Sequence, residues 1–300
     1  MAVISLDDVR ARSYVDSLTP HLFVPTRERP VRAKLRLLDK NTQVRPHSHP
    51  WAQLAMSTTG TIRLRVPQAT FIVPPGRALW IPPQVEHAVT MVESAELRTL
   101  YIHRPPGRYG PGGSRADDTH WQHCRVLEMS DLMRALAQDL STVPDGPEPP
   151  GAAQLRRERH VSALLLDELG RATVLHLRVD MPRDKRLQSL CEAVLDNPTA
   201  EDTLQAWTHN TGASPRTVAR LFRQELGCTY TQWRQQVILA WAVQLGAQGL
   251  SIRQIAAELG YTPSAFSAMV HKAVGLSPAR FLVHRPEAHS TPIASTTHHD

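Results

Sequence analysis

The 300-residue sequence predicts an α+β protein of two domains, an N-terminal β-barrel and a C-terminal all-α domain with two helix-turn-helix units joined by a long helix. Two observations predict this fold. Short alternating segments, separated by Pro and Gly turns, fill residues 31–102 and are typical of a β-sandwich or small barrel. The last third of the chain contains an internal repeat with an offset of 48 positions, and a repeat at a fixed offset is a fold-level signal.

The clearest strand pattern begins at Val31, where apolar residues alternate with basic ones up to residue 37. This alternation predicts a half-buried strand, because successive side chains of a strand point to opposite faces. Six further short strands are predicted between Pro- and Gly-containing turns, at residues 51–57, 61–66, 70–73, 78–81, 88–93 and 97–102.

Three histidines within these strands form a candidate metal-ligand set. His47 and His49 are two residues apart, so on a strand they would face the same side, and His87 precedes a later strand. Three imidazoles can bind a divalent ion of zinc, nickel or iron. The alternative is that they line a small-molecule pocket or make ordinary polar contacts.

Three further residues join the histidines as candidates for an effector pocket: Gln53, Trp51 and Trp80. Binding sites for small organic molecules are mostly apolar and aromatic, with a few polar groups that fix orientation. Both tryptophans could instead belong to the core.

The middle of the chain is predicted to link the domains. Residues 104–118 are rich in Gly, Pro and charge and have no periodicity, which indicates a mobile boundary segment. After it comes a short segment at 126–129, and we then predict a helix from Asp131 as N-cap to residue 140, a helix at 154–170 and a strand at 174–179. The predicted divisions are 1–110 (barrel), 111–181 (linker and helices), 182–285 (two helix-turn-helix units) and 286–300 (disordered tail).

Each repeat copy has the sequence signals of two helices joined by a tight turn. In the second copy, Ser251 and Gln254 form a capping box, Gly260 ends the first helix, and Thr262 is the N-cap of the next. Ser214 takes the position of Thr262 in the first copy. Helix, Gly-containing turn and helix make a helix-turn-helix, whose second helix can enter the DNA major groove.

The two recognition helices differ on their outward faces. The first carries Arg216, Arg220 and Arg223, and arginine can pair bidentately with guanine. The second carries Ser264 and His271 at equivalent positions, so we expect mainly phosphate contacts there. The full predicted DNA-contacting set is Ser214, Arg216, Thr217, Arg220, Arg223, Ser264, Ser267, His271 and Lys272. A continuous helical pattern at 229–248 links the two units over roughly 30 Å.

Residues 203–285, with the run LGYTPSAFSAM, resemble the DNA-binding domain of the AraC/XylS family of transcription regulators. The stretch PHSHPWAQL…VPPGRALWIPPQVEHAV is similar to the cupin-type sensory domain that such regulators carry. In cupins an HxH motif, a following Glu and a later His often hold a metal, and Gln53 stands here in place of the Glu. The resemblance implies double-stranded promoter DNA and a small-molecule effector as partners, together with RNA polymerase. In related regulators the helices between the two domains often mediate dimer contacts, so the apolar stripe of the helix at 154–170 either forms a homodimer or only packs on the barrel.

Composition narrows the function classes further. The net charge is +6, compatible with a polyanionic partner, and three widely spaced cysteines indicate neither a disulfide framework nor a CxxC site. There is no signal sequence and no long apolar run, so we expect a cytoplasmic, nucleoid-associated protein without membrane contact. A ligand-responsive regulator that is not an enzyme is the leading hypothesis. The alternatives are a metal-dependent cupin enzyme, of dioxygenase or isomerase type with Glu86 as its acid or base, and a barrel that serves only as a dimerisation scaffold.

Overall fold

The computed structural model describes residues 13–17, 20–111, 118–148, 150–175, 177–199, 208 and 214–282. Most of the predicted first helix of the first helix-turn-helix unit, and all of the tail predicted at 286–300, lie outside these residues. The described chain contains two six-stranded β-sheets followed by helices, which confirms the predicted α+β fold class.

All seven predicted barrel strands are present, with ends that differ by one or two residues. The first sheet has the order β1-β3-β8-β5-β6-β12 and the second the order β11-β10-β7-β4-β9-β2. The bounds are β1 Ser13–Val15, β2 Val31–Leu38, β3 Thr42–His47, β4 Ala52–Ser57, β5 Ile62–Val66, β6 Ala69–Val73, β7 Arg77–Ile81, β8 His87–Met91, β9 Ala95–Ile102, β10 Arg125–Glu128, β11 Val174–Leu175 and β12 Arg178–Asp180.

The alternation of each strand sorts its side chains between two cores. Leu64, Phe71 and Val89 point into a core between the sheets, which we call the barrel interior. Leu54 and Trp80 point the other way, from the outer face of the second sheet. Because the period of a strand is two, Gln53 and Tyr101 face the barrel interior when Leu54 and Leu100 face outward.

Helices cover both outer faces. Two short 3-10 helices, Pro20–Phe23 and Asp118–Gln122, lie within the N-terminal part. The α-helices are α1 Asp131–Asp139, α2 Ala152–Arg171, α3 Lys185–Asp196, α4 Pro215–Leu226, α5 Tyr230–Ala247, α6 Ile252–Glu258, α7 Pro263–Val274 and α8 Pro278–Leu282. No helix among the described residues is long and apolar enough to cross a membrane.

Helices α1 and α2 pack on the second sheet, where Val161, Leu165 and Leu169 share a core with Trp80. Helices α3 and α5 pack on the first sheet, where Ile72 of β6 lies in one cluster with residues of both helices. The two sheets, which we call the β-domain, therefore lie between helices α1 and α2 on one side and helices α3 and α5 on the other. The first sheet is the one that contacts the C-terminal helices.

Four sequence-based predictions need correction. Ser130, not Asp131, caps α1, because its hydroxyl accepts the backbone N–H of Met133. The strand predicted at 174–179 is two strands, β11 and β12. The segment predicted as linker and helices also contributes β10, β11 and β12 to the sheets, so the β-domain extends beyond residue 110. His47 ends β3 but His49 follows the strand, so the two histidines do not lie on one strand.

Candidate functional site

The first recognition helix, α4, exposes its three arginines. Ser214 caps the helix by accepting the backbone N–H of Thr217 at 3.2 Å, and Pro215 starts it. Val218 and Phe222 are fully buried, which turns the predicted basic face outward. Arg216, Arg220 and Arg223 are exposed, and Arg220 donates to Gln224 on the same helix at 2.8 Å. Thr217 is half-buried.

The second recognition helix, α7, has the same framework. Thr262 accepts the backbone N–H of Ala265 at 3.3 Å, and Phe266 and Val270 are fully buried. The outward residues Ser264, His271 and Lys272 are exposed, while Ser267 is half-buried. The two predicted faces are therefore both on the surface, and they differ in chemistry.

The linking helix α5 holds both units and also contacts the barrel. It begins with the capping box of Thr229 and Gln232, and eight of its 18 residues are buried. At 1.5 Å per residue, 18 residues span about 27 Å. The indole N–H of Trp233 donates to the carbonyl oxygen of Asp180 at 2.6 Å, which ties α5 to the end of β12.

The three predicted histidines come together at one end of the barrel interior. His87 begins β8 directly opposite His47 at the end of β3, and His49 reaches them from the loop before β4. One ring nitrogen from each lies within 4.8 Å of the others. His87 is 1% exposed, His49 is 5% exposed, and His47 is half-buried.

Backbone contacts fix which nitrogen of each imidazole carries the proton. The Nδ1 atoms of His47, His49 and His87 lie 2.8 to 2.9 Å from the carbonyl oxygens of residues 45, 51 and 85. A carbonyl oxygen only accepts, so each Nδ1 donates, and each Nε2 of a neutral ring presents a lone pair. Burial lowers the pKa of all three rings, that of His87 to about 3, which keeps them neutral near pH 7.

Two of these lone pairs lack a hydrogen-bond donor. His87 Nε2 is buried and has no hydrogen-bond partner among the described residues. His49 Nε2 lies 2.8 Å from Gln53 Oε1, and that oxygen also only accepts. The contact is satisfied either by one cation that both atoms coordinate as neighbouring ligands or by an amide turned so that its NH₂ donates. Buried polar groups normally have partners, and three converging lone pairs could hold an electron-pair acceptor such as a metal ion.

Aromatic rings form one wall of this site. Trp51 stacks on His49 with ring centroids 5.4 Å apart, and Tyr101 meets both rings edge-on. Burial raises the pKa of Tyr101 to about 12, so its hydroxyl stays protonated. Sequence reasoning missed Tyr101, because only the register of β4 with β9 sets it opposite Gln53.

Trp80 is a correction to the predicted pocket. Its side chain is fully buried on the outer face of the second sheet, where it packs against Trp121 and donates to that residue's carbonyl oxygen at 3.0 Å. It therefore belongs to the core under α1 and α2 and not to the histidine site.

Polar contacts connect the barrel with α3 close to the histidines. On the outer side of β5, Arg63 Nη1 lies 2.6 Å from Asp196 Oδ1 and Arg65 Nη1 lies 2.8 Å from Glu192 Oε1. Strand β5 pairs with β8, and Arg65 is opposite Ala88, next to His87. A cleft of about 260 Å³ lies at this junction and is lined by residues that include Pro46, Glu86, His87 and Gln188.

Comparison with known proteins gives matches to both halves of the chain. The AraC-like ligand binding domain matches residues 39–174, and a helix-turn-helix domain matches residues 207–283. The chain is 30% identical over 239 residues to the HTH-type transcriptional regulator NimR of Escherichia coli, covering 79% of this chain and 81% of that protein. It is 22% identical over 229 residues to the arabinose operon regulatory protein of Escherichia coli, covering 70% and 73%. The solved structure of ToxT from Vibrio cholerae covers 84% of this chain and 98% of that chain, with 8% identity and a TM-score of 0.32.

Proposed function

We propose that this chain, which belongs to the AraC/XylS family of transcription regulators, binds a divalent transition-metal ion through His47, His49 and His87, and that this occupancy changes its binding to promoter DNA. The observation that carries the proposal is the set of inward lone pairs, of which that on His87 Nε2 has no partner among the described residues. Imidazole nitrogen suits zinc, nickel and ferrous iron. When bound, the ion would supply a cationic centre in the barrel, and Gln53 Oε1 is positioned as a further donor.

For the DNA side, we propose that α4 reads base edges and α7 contacts phosphates. The exposed Arg216, Arg220 and Arg223 support the first role, since arginine pairs bidentately with guanine. Ser264, Ser267, His271 and Lys272 support the second, together with Ser214 and Thr217 at the start of α4. Successive major-groove segments on one side of DNA lie about 34 Å apart, and α5 spans about 27 Å, so one chain can reach two of them.

Coupling between the two sites requires two arrangements that the ligand binds with different affinity. The ion pairs of Arg63 with Asp196 and of Arg65 with Glu192 join the barrel to α3. Because β5 is the neighbour of β8, a shift of the β8 end that carries His87 would change the position of Arg65. We propose this junction as the element that metal binding biases.

A second candidate is that the barrel binds a small organic effector without metal. The stacked Trp51 and His49 rings and the edge-on Tyr101 favour it, because such sites are largely aromatic. For a cupin enzyme, Glu86 is the expected acid or base. That residue is exposed and does not belong to the close group of ligand atoms among the described residues. We therefore favour the regulator over the cupin enzyme.

The deciding measurement for the metal is its content by mass spectrometry in untagged full-length protein. We expect one ion per chain, lost in His47→Ala/His87→Ala and retained in His120→Ala/His160→Ala, which removes two exposed histidines elsewhere. All three proteins keep His298 and His299, so metal bound by those residues cancels in the comparison. Equal metal content in the first variant and the wild type would contradict the proposal. Absence of metal from all three would leave the organic effector.

We also propose a homodimer through the outer face of α1 and α2. Leu132 of α1 is 50% exposed and Leu164 of α2 is 53% exposed, so each helix has a large apolar side chain that a partner could cover. Leu164→Glu should shift the mass measured by light scattering from dimer to monomer, while Leu37→Glu, an exposed leucine on β2, should not. Contact with RNA polymerase and a location in the cytoplasm with the nucleoid remain predictions that follow from the regulator role.

A further inference from the structure

Resting on the metal centre proposed above, we infer that this site takes its ion together with a small organic acid, whose carboxylate binds the metal and accepts the indole N–H of Trp51. The ligand class is thus a carboxylate anion, and the barrel would sense a metal–carboxylate pair. Charge, unpaired polar atoms and access to the site support this inference.

The donors that the chain offers to the ion are all neutral. His47, His49 and His87 are neutral imidazoles, and Gln53 contributes an amide oxygen. The close group of ligand atoms among the described residues contains no carboxylate.

A divalent ion bound only by neutral donors keeps its full charge in a buried site. Moving uncompensated charge out of water is unfavourable, and proteins usually place an anionic ligand beside a buried cation. Here His87, Gln53 and His49 are at most 5% exposed, so water compensates little. An anion that enters with the ion removes most of this penalty.

The site also contains an unpaired donor that suits an anion. Trp51 Nε1 is buried and has no hydrogen-bond partner among the described residues. Its ring stacks on His49 with planes 8° from parallel, so the indole belongs to the same buried group of rings. The lone pair of His87 has no donor among the described residues and is complementary to a cation. The N–H of Trp51 has no acceptor among them and is complementary to an anion.

The surroundings favour an organic anion. His47 and Trp51 are half-buried while the other members of the cluster are buried, so a ligand can reach the site from their side. The Trp51 and Tyr101 rings meet edge-on at 5.7 Å and give an apolar wall. A carboxylate with an apolar group fits both the charge and this wall.

The test is a Co²⁺ titration of full-length protein in buffer free of carboxylates, followed by visible absorption and equilibrium dialysis. It is repeated with acetate or benzoate and, as matched neutral controls, with acetamide or benzamide. We expect both acids to raise the apparent Co²⁺ affinity at least tenfold and to change the cobalt absorption bands, and both amides to do neither. By linkage, Co²⁺ should raise the affinity for benzoate by the same factor.

Two variants isolate the residues involved. Gln53→Glu gives the site its own carboxylate, so it should bind Co²⁺ tightly without any added acid and lose the acid dependence. Trp51→Phe keeps an aromatic ring against His49 but removes the N–H, so benzoate should raise its Co²⁺ affinity by a smaller factor than it raises that of the wild type.

The outcomes separate this inference from the proposed function. If no Co²⁺ binds under any condition, or if His87→Ala binds as well as the wild type, the metal centre itself is wrong. If Co²⁺ binds equally with acids and amides, the metal centre stands and the carboxylate partner is overturned. Full enhancement in Trp51→Phe would overturn the role of the indole N–H.

Discussion

The two helix-turn-helix units share one framework and differ in what they expose. Ser214 and Thr262 cap α4 and α7 in the same way, and Gly227 and Gly275 end them with φ values of 65° and 72°. Their buried pairs have the opposite order, since α4 places Val218 before Phe222 and α7 places Phe266 before Val270. Folding constrains the caps, the turns and the total core volume, whereas the outward faces are free to specialise.

The largest effect should come from the shared core. Phe222→Ala and Phe266→Ala each remove a fully buried ring and should each lower the free energy of unfolding by about 3–5 kcal/mol. Urea denaturation of the full-length protein measures this, with the exposed Gln224→Ala as a control that should change little. A large loss in one unit and almost none in the other would show that the two frameworks are not equivalent.

The next largest effect should come from the difference between the exposed faces of α4 and α7. Arg216→Ala and Arg220→Ala should each cost about 1–3 kcal/mol of discrimination between cognate and other DNA, because a bidentate base contact is lost. Random-sequence selection followed by affinity measurement tests this, with Arg253→Ala, an exposed arginine of α6, as the matched control. Ser264→Ala/His271→Ala should leave the preferred sequence unchanged. If that variant alters preference more than the arginine variants, the assignment of roles is reversed.

A smaller effect, equal in the two units, is expected at the glycines that end α4 and α7. A Cβ at Gly227 or Gly275 would meet nothing within 4 Å, so alanine there meets no steric clash. The left-handed backbone alone should cost roughly 1–2 kcal/mol of stability in each unit. Gly146→Ala is the control that should cost almost nothing, because Gly146 is exposed, lies outside the left-handed region and has space for a Cβ. Thermal unfolding measures this cost. If the melting temperatures of Gly227→Ala and Gly275→Ala differ by more than the experimental error, the two frameworks are not equivalent.

Local signals explain why so much of the fold could be predicted. The caps at Ser214 and Ser251 act through neighbouring residues, and the structure confirms both of them. The alternation after Val31 correctly predicts a strand, but the half-buried pattern is wrong, because Arg32 and Lys34 are buried and Leu37 is exposed. The placement of Trp80 could not be predicted, because both faces of β7 are covered and both require apolar residues. Hydrophobicity alone does not tell which face meets the barrel interior.

The histidine site was predicted only in part for a related reason. Spacing identified His47, His49 and His87, although His49 reaches the cluster from a loop and not from the strand. The register between β4 and β9 brings Tyr101 opposite Gln53, and register depends on contacts distant in sequence. The unpaired Nε2 of His87 and N–H of Trp51 follow from three-dimensional burial, which no local pattern encodes.

The smallest predicted effect tests whether α7 only positions the protein on DNA. Lys272 is exposed in the last turn of α7, and a phosphate contact there releases about 0.9 of a counterion. Lys272→Ala should therefore weaken binding to all sequences alike and reduce the slope of log affinity against log salt by about 0.9. Lys40→Ala, in the exposed turn after β2, should leave both quantities unchanged. A loss that depends on sequence would instead give α7 a reading role, because a phosphate contact carries no sequence information and only a base-edge contact can discriminate.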